Sequence, residues 1–154
     1  MIVIGDEAVA FLASTLFVTP TENATAIGFR ASGRIVAGVL YDKWSGAAIE
    51  AHIWVEEGRV PPIQWAAAVL DYPFNQLGLD MMVAWVRDSN SKSLWLCKKL
   101  GFKEEGHVDQ FFRSGEGCTI LRLTKEDCWA LRSERWMKRV PRNEDPGVRS
   151  AVGS

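Results

Sequence analysis

The stretch from Met81 to Gly106 constrains the fold more than any other part of the chain. It reads as a short apolar strand (Met81–Val86), a polar break ending at Asn90, a one-sided helix over Ser91–Leu100, then Gly101-Phe102 and a second strand. Asn90 can cap the helix by accepting a hydrogen bond from a first-turn amide. Ser93, Leu96, Cys97 and Leu100 fall at i, i+3, i+4 and i+7, so they share one face. Gly101 sits just past the last periodic residue, where a left-handed turn costs a glycine least. Phe102 would then pack back on a strand layer. Spacing alone allows a plain capped helix that delivers a core phenylalanine.

The rest of the chain supplies further elements. Asp6 to Leu16 reads as a helix with Ala8, Phe11, Leu12 and Leu16 on one stripe, broken by Thr19-Pro-Thr-Glu-Asn23. Ala24–Arg30 and Arg34–Tyr41 read as a hairpin around Ala-Ser-Gly33, and Asp42–Gly46 as a second turn. Ala47–Val55 alternates with a period of two, placing Ile49, Ala51, Ile53 and Val55 on one side and Glu50, His52 and Trp54 on the other. A helix follows from about Ile63 to Tyr72, with Pro61 and Pro62 suited to its first turn and Pro73 ending or kinking it. Cys118–Leu123 is another strand, and Thr124-Lys-Glu-Asp127 caps a terminal helix expected through about Met137. From Pro141 onward the chain is polar and is expected to fray.

With 154 residues the chain has the length of one domain, and 47% hydrophobic residues suit a globular core. A formal charge of −1 gives no electrostatic push toward nucleic acid or an anionic membrane. Cys97, Cys118 and Cys128 are an odd set without Cys-x-x-Cys spacing. They suit a reduced compartment better than a disulfide framework or a metal site. The opening Met-Ile-Val-Ile-Gly-Asp-Glu lacks a basic leader, and no apolar run has the length of a membrane span. The expected location is the cytoplasm, with neither membrane nor nucleic acid as a partner.

The string Asn90-Ser-Lys-Ser93-Leu-Trp-Leu96-Cys97-Lys-Lys-Leu100-Gly101-Phe102-Lys-Glu-Glu105-Gly106 closely resembles the Asn…Ser/Ala…Leu…Lys-x-Gly-Phe…Glu-Gly signature of the GCN5-related N-acetyltransferases, the acyl-CoA N-acyltransferase family. The order helix, three strands, helix, strand, helix, strand, strand is also that of the family, so the resemblance covers roughly residues 24–123. Asp71–Leu79 and Glu126–Trp129 look like a branch of the family often seen in bacteriophage genomes. The resemblance implies an α/β domain over residues 1–140 with a flexible tail over 141–154. Its sheet would be mixed and mostly antiparallel, flanked by helices, with splayed central strands.

The resemblance also implies a function: transfer of an acetyl group from acetyl-CoA to a primary amine, on a small molecule or a peptide. Acetyl-CoA would sit between the splayed strands, its pantetheine amides pairing with backbone of Ile53, Trp54 and Val55, and with Asn90 and Ser93 alongside. The pyrophosphate would rest at the next helix N-terminus, where amides and dipole favour anions. There the chain departs from the family, offering Glu57-Gly58-Arg59-Val60-Pro61-Pro62, in which two prolines remove donors and Arg59 supplies a cation. Amine attack needs a proton acceptor, and Glu50 and His52 on the far face of the strand are candidates. Cys97 aligns with the family's helix Tyr that protonates the leaving thiolate, although buried Cys is commonly packing.

Two other classes compete. A degenerate acetyltransferase fold could bind CoA, or nothing, and serve as an interaction module. Arg132, Arg135, Lys138, Arg139 and Arg142 could contact nucleic acid, but Glu134 and Glu144 dilute them. Trp129 and Trp136, one heptad apart on the expected terminal helix, could make a homodimer contact.

Overall fold

The computed structural model describes residues 1–140 and the backbone of residues 148–150. Its elements run β1 (Ile2–Ile4), α1 (Asp6–Leu16), β2 (Thr25–Ala31), β3 (Arg34–Ser45), β4 (Ala48–Val55), α2 (Ile63–Asp71), β5 (Met81–Arg87), α3 (Ser91–Leu100), β6 (Lys103–Val108), β7 (Cys118–Thr124), α4 (Glu134–Met137) and β8 (Val148–Ser150). The strands form one sheet in the order β6-β7-β5-β4-β3-β2-β1-β8. Neighbours are antiparallel except β4–β5 and β1–β8, which are parallel. The expected mixed, mostly antiparallel architecture is therefore present. Most of the expected tail, and Arg142 with it, lies outside the described residues.

Alternation along β4 and β5 sorts side chains to the two faces. Ile49, Ala51, Ile53 and Val55 join Met82, Ala84 and Val86 on the face covered by α2 and α3. That face is tightly sealed. Trp65 of α2 is fully buried and donates Nε1 to the Ile27 carbonyl at 3.2 Å, while Tyr41 donates its hydroxyl to the Val69 carbonyl at 2.6 Å. The other face is covered by α1, whose Ala8, Leu12 and Leu16 pack on Val3, Ala26 and Leu40. Gly38 permits this approach, since a Cβ there would stand 2.6 Å from the Leu12 side chain.

Helix α3 forms as its sequence dictates. Asn90 Oδ1 accepts from the Ser93 amide at 3.2 Å, and Ser93, Leu96, Cys97 and Leu100 are all buried. Gly101 turns left-handed at φ 105°, and a Cβ there would meet the Asp127 carbonyl oxygen at 2.9 Å. Glycine is required on both counts.

Three expectations change, and one strand is added. Strand β1 was too short to show a period, yet it pairs with β2 through Ile2, Val3 and Ile4. The Asp42–Gly46 turn is instead the end of β3, with a bulge between Asp42 and Ser45. Buried Asp42 accepts from the Thr21 amide at 2.8 Å and its hydroxyl at 2.5 Å, anchoring the loop after α1. Pro61 and Pro62 lie ahead of α2, with Pro62 as its N-cap, whereas Pro73 acts as expected: α2 ends at Asp71 and passes into a π-helical turn, Tyr72–Gln76, with the proline in its first positions. The expected long terminal helix is a 3₁₀ turn, Trp129–Arg132, followed by the single turn of α4. Ser133 separates them because its extended backbone lets its hydroxyl cap the Trp136 amide at 3.3 Å. Trp129 and Trp136 consequently form no shared stripe. Their rings meet each other at 4.8 Å, edge to face.

Candidate functional site

The site is defined by where β4 and β5 stop pairing. Their parallel ladder runs from Ala48–Met81 to Ala51–Ala84 and ends there, while β4 continues against β3 to Val55 and β5 continues against β7 to Arg87. The sheet is thus split between residues 52–55 and residues 85–87. The Glu56 amide donates to the Val36 carbonyl at 2.9 Å, and from that bond the antiparallel register alternates. Trp54 spends its backbone groups on Gly38 of β3. Ile53 and Val55 turn theirs into the split. Of the three residues expected to offer free backbone, two do so.

Trp54 has a different surrounding. Its ring packs on α1, 5.6 Å from Phe11 in an edge-to-face contact.

The α1 face of the split carries the titratable groups. Glu50 Oε2 lies 3.6 Å from His52 Nε2 and 4.0 Å from Lys43 Nζ. Burial raises the Glu50 carboxyl above its ordinary value, aided by Asp42 and opposed by Lys43. Burial pushes His52 down to about 4, with Lys43 adding to the effect, so the imidazole is neutral near pH 7. Leu16, Val18, His52, Ile53, Trp85, Arg87, Asn90 and Phe112 close around the split, leaving only about 10 Å³ of open space.

Two buried polar atoms have no partner among the described groups: Trp85 Nε1, whose residue lines the split, and Ser93 Oγ, in the first turn of α3 after Asn90. Leaving such groups unpaired costs about 1–3 kcal/mol each. Both are suited to receive a ligand atom. Asn90 has its side chain engaged as the α3 cap. Cys97 is fully buried in the core beside Leu96 and Leu100, and burial pushes its thiol up to about 12.

The loop before α2 holds Gly58, Arg59 and Val60. Gly58 adopts φ 79°, and the Arg59 amide closes the turn on the Glu56 carbonyl at 3.1 Å. Arg59 Nε also binds Glu56 Oε2 at 3.1 Å, so its charge is shared with a carboxylate that Arg34 grips as well. Val60 is exposed. In α2 the Trp65 and Ala66 amides both turn back on the Pro62 carbonyl, which leaves those of Ile63 and Gln64 at the helix start for an anion.

Sequence reasoning missed a group beside the split. Arg87, at the end of β5, lies with its guanidinium 3.8 Å from the Phe112 ring centroid and 5.4 Å from that of Phe17. Beyond it, the Asp88 carboxylate bonds His107 Nε2 at 2.5 Å and the Thr119 hydroxyl at 2.7 Å. The pair Phe111-Phe112 in a polar loop was the available signal.

A split parallel pair inside a mostly antiparallel sheet, with helices after each split strand, is the fold of the N-acetyltransferases. Solved structures agree. The chain is similar to the spermidine/spermine N-acetyltransferase SpeG of Vibrio cholerae, at 20% identity and TM-score 0.60 over 83% of this chain and 81% of that one. A dodecameric structure of the Vibrio cholerae spermidine N-acetyltransferase matches at 19% identity and TM-score 0.59, over 81% of this chain and 76% of that one. No protein-family model matches the sequence, and no curated protein does. Among the described residues no helix is long and apolar enough to cross a membrane.

Proposed function

We propose that the chain is an N-acetyltransferase that uses acetyl-CoA as donor and a primary amine as acceptor. The observation that carries this reading is the split between β4 and β5, into which Ile53 and Val55 turn unpaired backbone groups. Unpaired buried amides are costly, and the amides of a pantetheine arm are complementary to them. Ser93 Oγ, buried and without a partner, would donate to the thioester sulfur. The α2 start, with the Gly58 and Val60 amides, would take the pyrophosphate. Arg59 adds a cation weakened by Glu56.

In the reaction the amine nitrogen attacks the thioester carbonyl carbon, a C–N bond forms, and the C–S bond breaks. The nitrogen must shed a proton. Glu50 receives it through water, since its raised proton affinity brings it nearer to working pH. His52 is neutral and a weak base, and it orients the acceptor. The thiolate departs without help from Cys97, whose thiol is sealed in the core.

The test is release of CoA from acetyl-CoA across a panel of amines, measured as a function of pH. Glu50→Gln should lower the rate near neutrality, with partial recovery at high pH where free amine is supplied by solvent. His52→Gln should do less. Tight binding of acetyl-CoA with no turnover of any amine would instead assign a CoA-binding module.

A further inference from the structure

The mouth of the split opens, on the α1 face, into a pocket of about 400 Å³ lined by Phe17, Val18, Arg87, Phe111, Phe112 and Arg113, with Ser114 at its rim. Val18, Arg87 and Phe112 line both the pocket and the split, so the two are continuous. The volume suits a molecule of amino-acid size.

Its chemistry is one-sided. Two arginines line it and no carboxylate does. The nearest acid, Glu116, has Oε1 committed to the Ser89 amide at 2.6 Å, and its Oε2 reaches Arg87 Nη1 only at 3.6 Å. Among the described residues Arg113 makes no ion pair. The Arg87 guanidinium lies against the faces of Phe17 and Phe112, which holds its plane while leaving N–H groups at its edge. A planar fork held this way matches a carboxylate with two parallel hydrogen bonds.

Phe17 strengthens the case independently. It ends α1 in the left-handed conformation, φ 56°, and the residue is 81% exposed. A bulky residue in that conformation costs about 1–2 kcal/mol, and an exposed ring recovers little of it. The left-handed turn itself closes α1, with the Val18 amide on the Ala13 carbonyl at 3.1 Å; helix closure does not call for a large ring at this position, and here that ring lines the pocket.

We infer that this pocket receives the acceptor, and that the acceptor is a primary amine bearing a carboxylate and an aromatic or bulky apolar side group. Arg87 binds the carboxylate, Phe17, Phe111 and Phe112 receive the side group, and the amine is left facing Glu50, His52 and the split. A polyamine is disfavoured, because its second ammonium would meet two arginines in a lining that holds no carboxylate. The inference rests on the acetyl-transfer reading and adds the class of acceptor.

The experiment compares phenylalanine, phenethylamine and spermidine as acceptors with the full chain and acetyl-CoA, following CoA release. Phenylalanine should exceed phenethylamine, its counterpart without the carboxylate, by tenfold or more in kcat/KM, with spermidine the poorest. Arg87→Met should abolish the preference, bringing the ratio of kcat/KM for phenylalanine over phenethylamine down to about one. Calorimetric binding of N-acetylphenylalanine, which carries the carboxylate without the ammonium, should be seen with the native chain and lost in Arg87→Met. Turnover of spermidine with phenylalanine inert overturns the inference and leaves acetyl transfer standing. Equal turnover of phenylalanine and phenethylamine by the native chain also overturns it. No CoA release with any amine overturns both.

Discussion

The two faces of the same sheet are built from alternate residues of the same strands, yet they are put to different uses. On the α2–α3 face, Ile53, Met82 and Ala84 meet Trp65, Leu70 and Cys97 in a core without charge. On the α1 face, Glu50 and His52 of β4 and Trp85 and Arg87 of β5 are half-buried, shifted in proton affinity or unpartnered. The first face is apolar throughout, while the second combines the apolar patch under α1 with the polar groups beside the split. Those polar groups are held at a cost that the apolar packing must offset. The contrast predicts that substitutions on the α2–α3 face act on stability, and that those of the polar residues beside the split act on chemistry or pH response.

The largest effect is expected at Trp65. Trp65→Ala removes a fully buried indole and strands the Ile27 carbonyl, and should cost about 3–5 kcal/mol in denaturant unfolding. A loss below about 1 kcal/mol would mean that packing on this face contributes little to stability.

His52 sharpens the comparison through pH. Its folded value of about 4 lies below the ordinary value of 6.5, so between those limits the unfolded chain binds the extra proton. The stability tied to neutral His52 is whole above pH 6.5 and falls as pH drops toward 4. The fall amounts to about 3 kcal/mol at most, at about 1.4 kcal/mol per unit. His52→Gln should flatten that part of the stability–pH curve and change little at neutral pH. An unchanged acid limb would place the imidazole in water.

The smallest effect is expected at Phe17. Phe17→Gly relieves the left-handed backbone and loses a 5.4 Å contact with Arg87. Stability should stay level or rise by about 1 kcal/mol, while the KM for the acceptor increases. A clear loss of stability would move Phe17 to the structural side of the ledger.

Much of this was legible in the sequence. The Asn90 cap, the buried Ser93–Leu100 stripe and the Gly101 turn rest on local periodicity and backbone chemistry, and all three stand in the structure. Alternation along β4 placed Glu50 and His52 together on one face. What the sequence did not show depends on contacts across the chain. Arg87 looks like the polar end of a strand until folding sets it beside Phe112, twenty-five residues on, and Phe17, seventy residues back. The division of the terminal segment at Ser133 depends on a competing cap, which helix periodicity does not register. Which of residues 53–55 face the split follows only from the register with β3.

The central claim is that the free edge of β4 receives the pantetheine arm, and amide hydrogen exchange with and without acetyl-CoA tests it most directly. Ile53 and Val55 should exchange more slowly when acetyl-CoA is added, while Trp54, already paired with Gly38, stays unchanged. Unchanged exchange at Ile53 and Val55 under saturating acetyl-CoA would contradict the account.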